Sequence, residues 1–113
     1  MLKEVYGTFL RPDGTPAANA ILTLTLSQDC VEADGTGIVG HYPVVVELDE
    51  NGSIPFSGSL EGMLFQTNDT VLPAGTYTTV SLVDPVFGRI FHEHLVIAGN
   101  SPINLAEIVP ALA

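Results

Sequence analysis

At 113 residues, 46% of them hydrophobic, the chain is long enough to bury one core, and a single domain over residues 1–113 is the expectation. Three Lys+Arg against thirteen Asp+Glu give a formal net charge of −10, which excludes a phosphate-neutralising surface and so argues against nucleic acid or an anionic membrane as partner. No apolar run reaches the ~18 residues a membrane helix needs, and the single cysteine, Cys30, excludes an intrachain disulfide and a Cys-based zinc site within one chain.

The first residues, Met1-Leu2-Lys3-Glu4-Val5, carry no extended apolar segment of the secretory kind, so folding in a cytoplasm is expected. Glu4 to Leu10 reads as a short strand, and RPDGTPAANA after it, with two prolines and Asp-Gly, as a broad turn. Ala20 to Ser27 alternates cleanly: Ala20, Leu22, Leu24 and Leu26 share one face, and Ile21, Thr23, Thr25 and Ser27 the other. One buried face of this kind fits an antiparallel sheet.

SQDCVEADGTGIVGH has no sustained period and reads as a long loop with a brief strand near Ile38-Val39. Tyr42 to Leu48 is the next strand. Asn51-Gly52 then supplies the turn signal for a hairpin into Ile54 and Phe56. SGSLEGMLFQTND reads either as a bulged strand or as an irregular crossover. Pro73-Ala74-Gly75 forms a turn into a strand from Thr76 to Val83, DPVFG turns again, and Arg89 to Ile97 is a further strand. Ile103 and Leu105 fit a last short edge, with at most one helical turn before Pro110. About seven short strands with glycine and proline punctuation predict an all-β fold, a single antiparallel β-sandwich.

The order GTFLRPDGTPAANAILTLTL, VELDENGSI, TNDTVLPAGTYTTVSLVD, LVIAGNSPINLAEI resembles an immunoglobulin-like or transthyretin-like β-sandwich module, the type also seen in carboxypeptidase regulatory domains. The form with ND…PAGTY and a closing SPINL is similar to modules in structural proteins of tailed bacteriophages and prophages, of tail-fibre, baseplate or capsid-decorating type. The resemblance spans nearly the whole chain through Gly7, Asp13-Gly14, Pro16, Ala20, Asp49, Gly52, Pro73 and Gly75-Thr76-Tyr77, which are mostly turn and core positions. It departs where such modules commonly place a tryptophan in a late strand, since Phe91 and His92 stand there. It implies a virion protein assembled in a bacterial host cytoplasm, with capsid or tail proteins and further copies of itself as partners.

Few constellations point to chemistry. His92 and His94 are two apart on a strand, so they share a face and could hold a metal between them, with His41 as a third ligand only if the fold brings it close; paired polar groups on an exposed face is the plainer reading. Asp49 and Asn51 resemble part of a calcium loop but lack its closing glutamate, and Asp34 and Asp69 add carboxylates elsewhere. Ser27, Ser57, Ser101 and Cys30 have no adjacent base in sequence, so no enzyme and no cofactor are expected. Tyr6, Tyr42 and Tyr77 could stack on sugars if clustered. The segment 101–113, with Ile103, Leu105, Ile108, Val109 and Leu112, follows the last long strand and is expected to cover the sheet's open end or a neighbouring subunit. The expected function is a non-enzymatic structural or decorating subunit, with a carbohydrate- or calcium-binding surface adhesion module as the alternative.

Overall fold

Leu22, Leu24 and Leu26 face Leu82, Val80 and Thr78 across an antiparallel pair, and this register organises the molecule. The computed structural model describes residues 2–56 and 62–108. Its strands are β1 (Lys3–Tyr6), β2 (Ile21–Leu26), β3 (Cys30–Glu32), β4 (Ile38–Val39), β5 (Val44–Glu47), β6 (Met63–Phe65), β7 (Val71–Leu72), β8 (Thr78–Asp84), β9 (Gly88–Leu95) and β10 (Ile103–Asn104), followed by a 3-10 turn at Leu105–Glu107. The fold is all-β. Where about seven strands are expected, the described residues form ten short ones in three sheets, ordered β5-β2-β8-β9, β10-β1-β6 and β4-β3-β7.

The first two sheets share one core. Leu22, Leu24, Val80, Leu82 and Leu95 come from the four-stranded sheet, Val5, Phe65 and Ile103 from the three-stranded one, and Leu48, Ile54 and Ile97 from the connections. Each large side chain so buried stabilises the fold by about 1.5–3 kcal/mol. A smaller cluster of Leu26, Cys30 and Val71 lies under the third sheet.

Three expectations change. The long loop after Ser27 does contain the strand at Ile38–Val39, but it pairs with β3, which has too few residues to show a period. Asn51-Gly52 does not close a hairpin. Gly52, at φ +72°, turns the chain out of the four-stranded sheet, so that Phe9 N–H donates to Gly52 C=O at 2.8 Å and Ile54 N–H to Gly7 C=O at 3.0 Å. The turn therefore carries the chain from β5 across to the extension of β1. The sandwich is also not wholly antiparallel, because β10 runs parallel to β1, with Val5 opposite Ile103.

Two buried threonines, Thr76 just before β8 and Thr78 at its start, stand on the core side where an apolar pair would be the simple expectation. Buried Asn68 satisfies them. Its Oδ1 accepts from Thr78 Oγ1 at 3.0 Å and from Ile97 N–H at 2.8 Å, and its Nδ2 donates to Thr76 Oγ1 at 3.4 Å.

Candidate interaction surface

The segment HYPVVVELD builds β5 from three β-branched residues behind a proline, chemistry that favours an extended strand and limits its start. Its register with β2 sets Val44 opposite Leu24, Val45 opposite Thr23, Val46 opposite Leu22 and Glu47 opposite Ile21. Leu48 N–H donates to Ala20 C=O at 2.8 Å, which fixes the phase of the ladder. By the alternation of antiparallel pairing, Val44 and Val46 bond to β2, while the N–H and C=O groups of Val45 and Glu47 point away from it. Among the described residues no strand pairs with that outer side.

Beside this edge lies a groove of about 160 Å³ between β5 of one sheet and β6 of the other, lined by Leu2, Leu26, Val39, Tyr42, Val44 and Leu64. Tyr42 is 84% exposed, Val45 60% and Leu64 46%. Among the described residues no charged side chain lines the groove, although the whole chain carries a net charge of −10. An apolar, uncharged opening on an acidic molecule is the kind of patch that marks contact with a partner.

The opposite edge of the same sheet is built differently. β9 is the longest strand, but its register with β8 shifts between Leu82 and Val83, leaving Ile90 as an extra residue. Arg89, His92 and His94 are exposed on it, and Glu93, opposite core residue Val80, is half-buried. A bulge and charged side chains are devices that discourage edge-to-edge pairing. β5 has neither.

His92 and His94 do share a face, with ring centroids 6.1 Å apart. His94 Nδ1 lies 3.0 Å from Thr79 Oγ1, and its ring packs on Tyr77 at 4.6 Å. His41 is instead occupied by Asp29, which meets both its backbone N–H and its Nδ1; these bonds hold the Asp29 carboxyl below its ordinary range. Among the described residues no group of three or more His, Cys, Asp or Glu is placed to hold a metal. The ring contacts among them are those of His94 with Tyr77 and His92, so the three tyrosines form no stack of their own.

The acidic candidates cap turns. Asp49 Oδ1 accepts from Asn51 N–H at 2.9 Å and from Ser53 N–H at 3.0 Å, while the Asn51 backbone serves that turn. Asp13 and Asp34 repeat one arrangement, each accepting from the N–H and hydroxyl of a threonine two residues on, Thr15 or Thr36; the hydroxyl bond leads in holding both carboxyls below the usual range. Asp69 takes bonds from Lys3, Thr67 and the Gly99 amide. Cys30 is buried, which with the neighbouring Asp29 raises its thiol pKa.

Ile103 and Leu105 lie in the chain's own core and Ile108 packs against it, so these residues close the sandwich from within. Val109 and Leu112, the remainder of that expected contact segment, lie outside the described residues. Sequence reasoning missed the β5 edge as a specific surface. Its signal was the uncharged run PVVV, but a strand's place at the rim of a sheet depends on pairings elsewhere in the chain.

No protein-family model matches this chain, and a search of curated proteins found no match.

Proposed function

We propose that the protein is a structural subunit that works by protein–protein contact, set in a particle of the tailed-phage or prophage kind that its sequence resembles. The observation that carries this reading is the apolar opening between β5 and β6, with Tyr42 and Leu64 exposed in its lining and, among the described residues, no charged side chain there. Leaving such side chains in water gives up burial energy of about 25 cal/mol per Å², which assembly would recover. The particle setting rests on the resemblance, and the contact role rests on the surface.

A carbohydrate- or calcium-binding role has less behind it. The carboxylates that motivated it at Asp34, Asp49 and Asp69 are each engaged in hydrogen bonds that shape the chain's own turns. Density-gradient fractionation of particles from cells expressing the gene at its own locus tests the proposal. The protein is expected to band with particles in a fixed copy number, and its presence in the soluble fraction alone would contradict the reading.

A further inference from the structure

We propose that β5 pairs with β5 of a second copy, antiparallel about a twofold axis through Val45, joining two four-stranded sheets into one of eight strands. This deepens the contact-making reading and rests on it by naming the partner.

The backbone phase makes the edge self-complementary. A twofold axis perpendicular to the sheet keeps each side chain on its own face, so paired residues must share a face. Through Val45 the axis sets Val45 opposite itself, Val44 opposite Val46, and Glu47 opposite Pro43. The outward groups then meet. Val45 exchanges two N–H to C=O bonds with its copy, and each Glu47 N–H reaches a Pro43 C=O across the axis. Pro43 has no N–H to offer, so only the Glu47 C=O at either end of the ladder stays with water.

Charge selects this register over its neighbours. Glu47 is the one ionised residue of β5. With the axis on Val45 the two Glu47 residues lie four residues apart, about 13 Å along the strand, beyond the screening length of about 8 Å at physiological salt. An axis through Val46 halves that separation, and one through Glu47 sets the two carboxylates face to face. An axis through Val44 places Val45 opposite Pro43 and loses the bonds that need its N–H. Valines meeting valines across the Val45 axis are favourable cross-strand pairs. The other end of the sheet offers no such match, since the bulge at Ile90 and the charges on β9 disturb it.

Sedimentation velocity from micromolar to near-millimolar protein tests the pairing, using wild type, Val45→Lys, Thr23→Lys and His94→Lys. Wild type is expected to shift with concentration toward twice 11.9 kDa. Val45→Lys sets two like charges opposite each other at an exposed position and is expected to weaken the dimer at least about tenfold. Thr23→Lys adds the same charge one strand inward and His94→Lys adds it at the far edge, and both are expected to dimerise as wild type does. Should Val45→Lys not fold by circular dichroism, amide exchange on wild type decides: the Val45 and Glu47 amides are expected to gain protection as concentration rises, and those of His92 and His94 are not. Wild type that stays monomeric throughout, or a dimer broken by His94→Lys and not by Val45→Lys, overturns the pairing. A monomer that still bands with particles overturns this pairing alone, whereas a Val45-dependent dimer absent from particles supports the pairing and removes the particle setting.

Discussion

Arg11 Nε donates to Asp84 Oδ1 at 2.8 Å across 73 residues of chain, and the Asp84 side chain is buried. The bond pins the turn before β2 to the end of β8. Asp84 Oδ2 accepts from the Val86 and Phe87 amides at 2.8 and 3.0 Å, so the same carboxylate also shapes the turn into β9. Desolvation pushes the Asp84 pKa up, but the Arg11 bond and the two amides outweigh it and hold the carboxyl below its ordinary 3.8.

Arg11→Met is therefore expected to destabilise the fold by leaving a buried carboxylate without its cation. The pH dependence has a definite sign. A depressed carboxyl pKa stabilises the fold above the unfolded value of 3.8, and that stabilisation is lost as pH falls through the folded value. The gap in urea midpoint between wild type and Arg11→Met should be wide at neutral pH and close on acidification below about 4. A gap that does not change with pH would contradict the account.

Lys3 and Asp69 tie β1 to the segment before β7. Lys3 Nζ lies 2.7 Å from Asp69 Oδ2 and also donates to Gly99 C=O at 2.6 Å. Partial burial raises the Asp69 pKa, but Lys3, Thr67 and the Gly99 amide together bring it down to about 2. Lys3→Met should move the Asp69 titration, followed by carboxyl NMR shifts, up toward 3.8. Because the carboxylate is 35% exposed, solvent screening leaves a stability loss of about 1 kcal/mol or less at neutral pH. An unmoved titration would show that Thr67 and the Gly99 amide suffice.

Asn68→Ala strips partners from the buried Thr76 and Thr78 hydroxyls and from the Ile97 amide together. Orphaned buried polar groups cost about 1–3 kcal/mol each, and partial relaxation should leave a total of about 2–4 kcal/mol. Adding Thr78→Val to Asn68→Ala should recover part of that loss, since it removes one of the orphaned hydroxyls. Strictly additive losses by urea denaturation would argue that the network is not coupled.

Two glycines with positive φ make a contrasting pair. A Cβ on Gly52 would stand 2.5 Å from Phe9 O and 2.7 Å from Ala17 N, whereas one on Gly75 meets nothing within 4 Å. Gly75→Ala should cost about 1 kcal/mol from backbone strain alone. Gly52→Ala should cost several times more, as it separates β1 from the turn that reaches it. Similar thermal midpoints for the two variants would refute the crossing at Gly52.

These contrasts show where sequence was informative. The Ala20 to Leu26 alternation revealed its buried face because a period of two leaves no choice once leucines and threonines separate. On β8 the same rule was blunted, since Thr76 and Thr78 on the core side resemble Thr79 and Ser81 on the outer side until Asn68 is placed beside them. Ile103 and Leu105 follow the last long strand, where a sandwich is expected to have finished its core. They complete its core because β10 inserts parallel to β1, a pairing between opposite ends of the sequence. The Val44 to Glu47 strand was legible, but its position on the rim was not.

The central claim, that the apolar opening beside β5 is the working surface, is tested most directly by counting copies on purified particles for wild type and for Tyr42→Lys/Leu64→Lys. Both positions are exposed, so the double variant should fold with an unchanged circular dichroism spectrum. The account predicts that its copies per particle fall at least about tenfold, the loss that removing a contact worth 1.4 kcal/mol or more produces. A folded double variant retained at the wild-type copy number would contradict it.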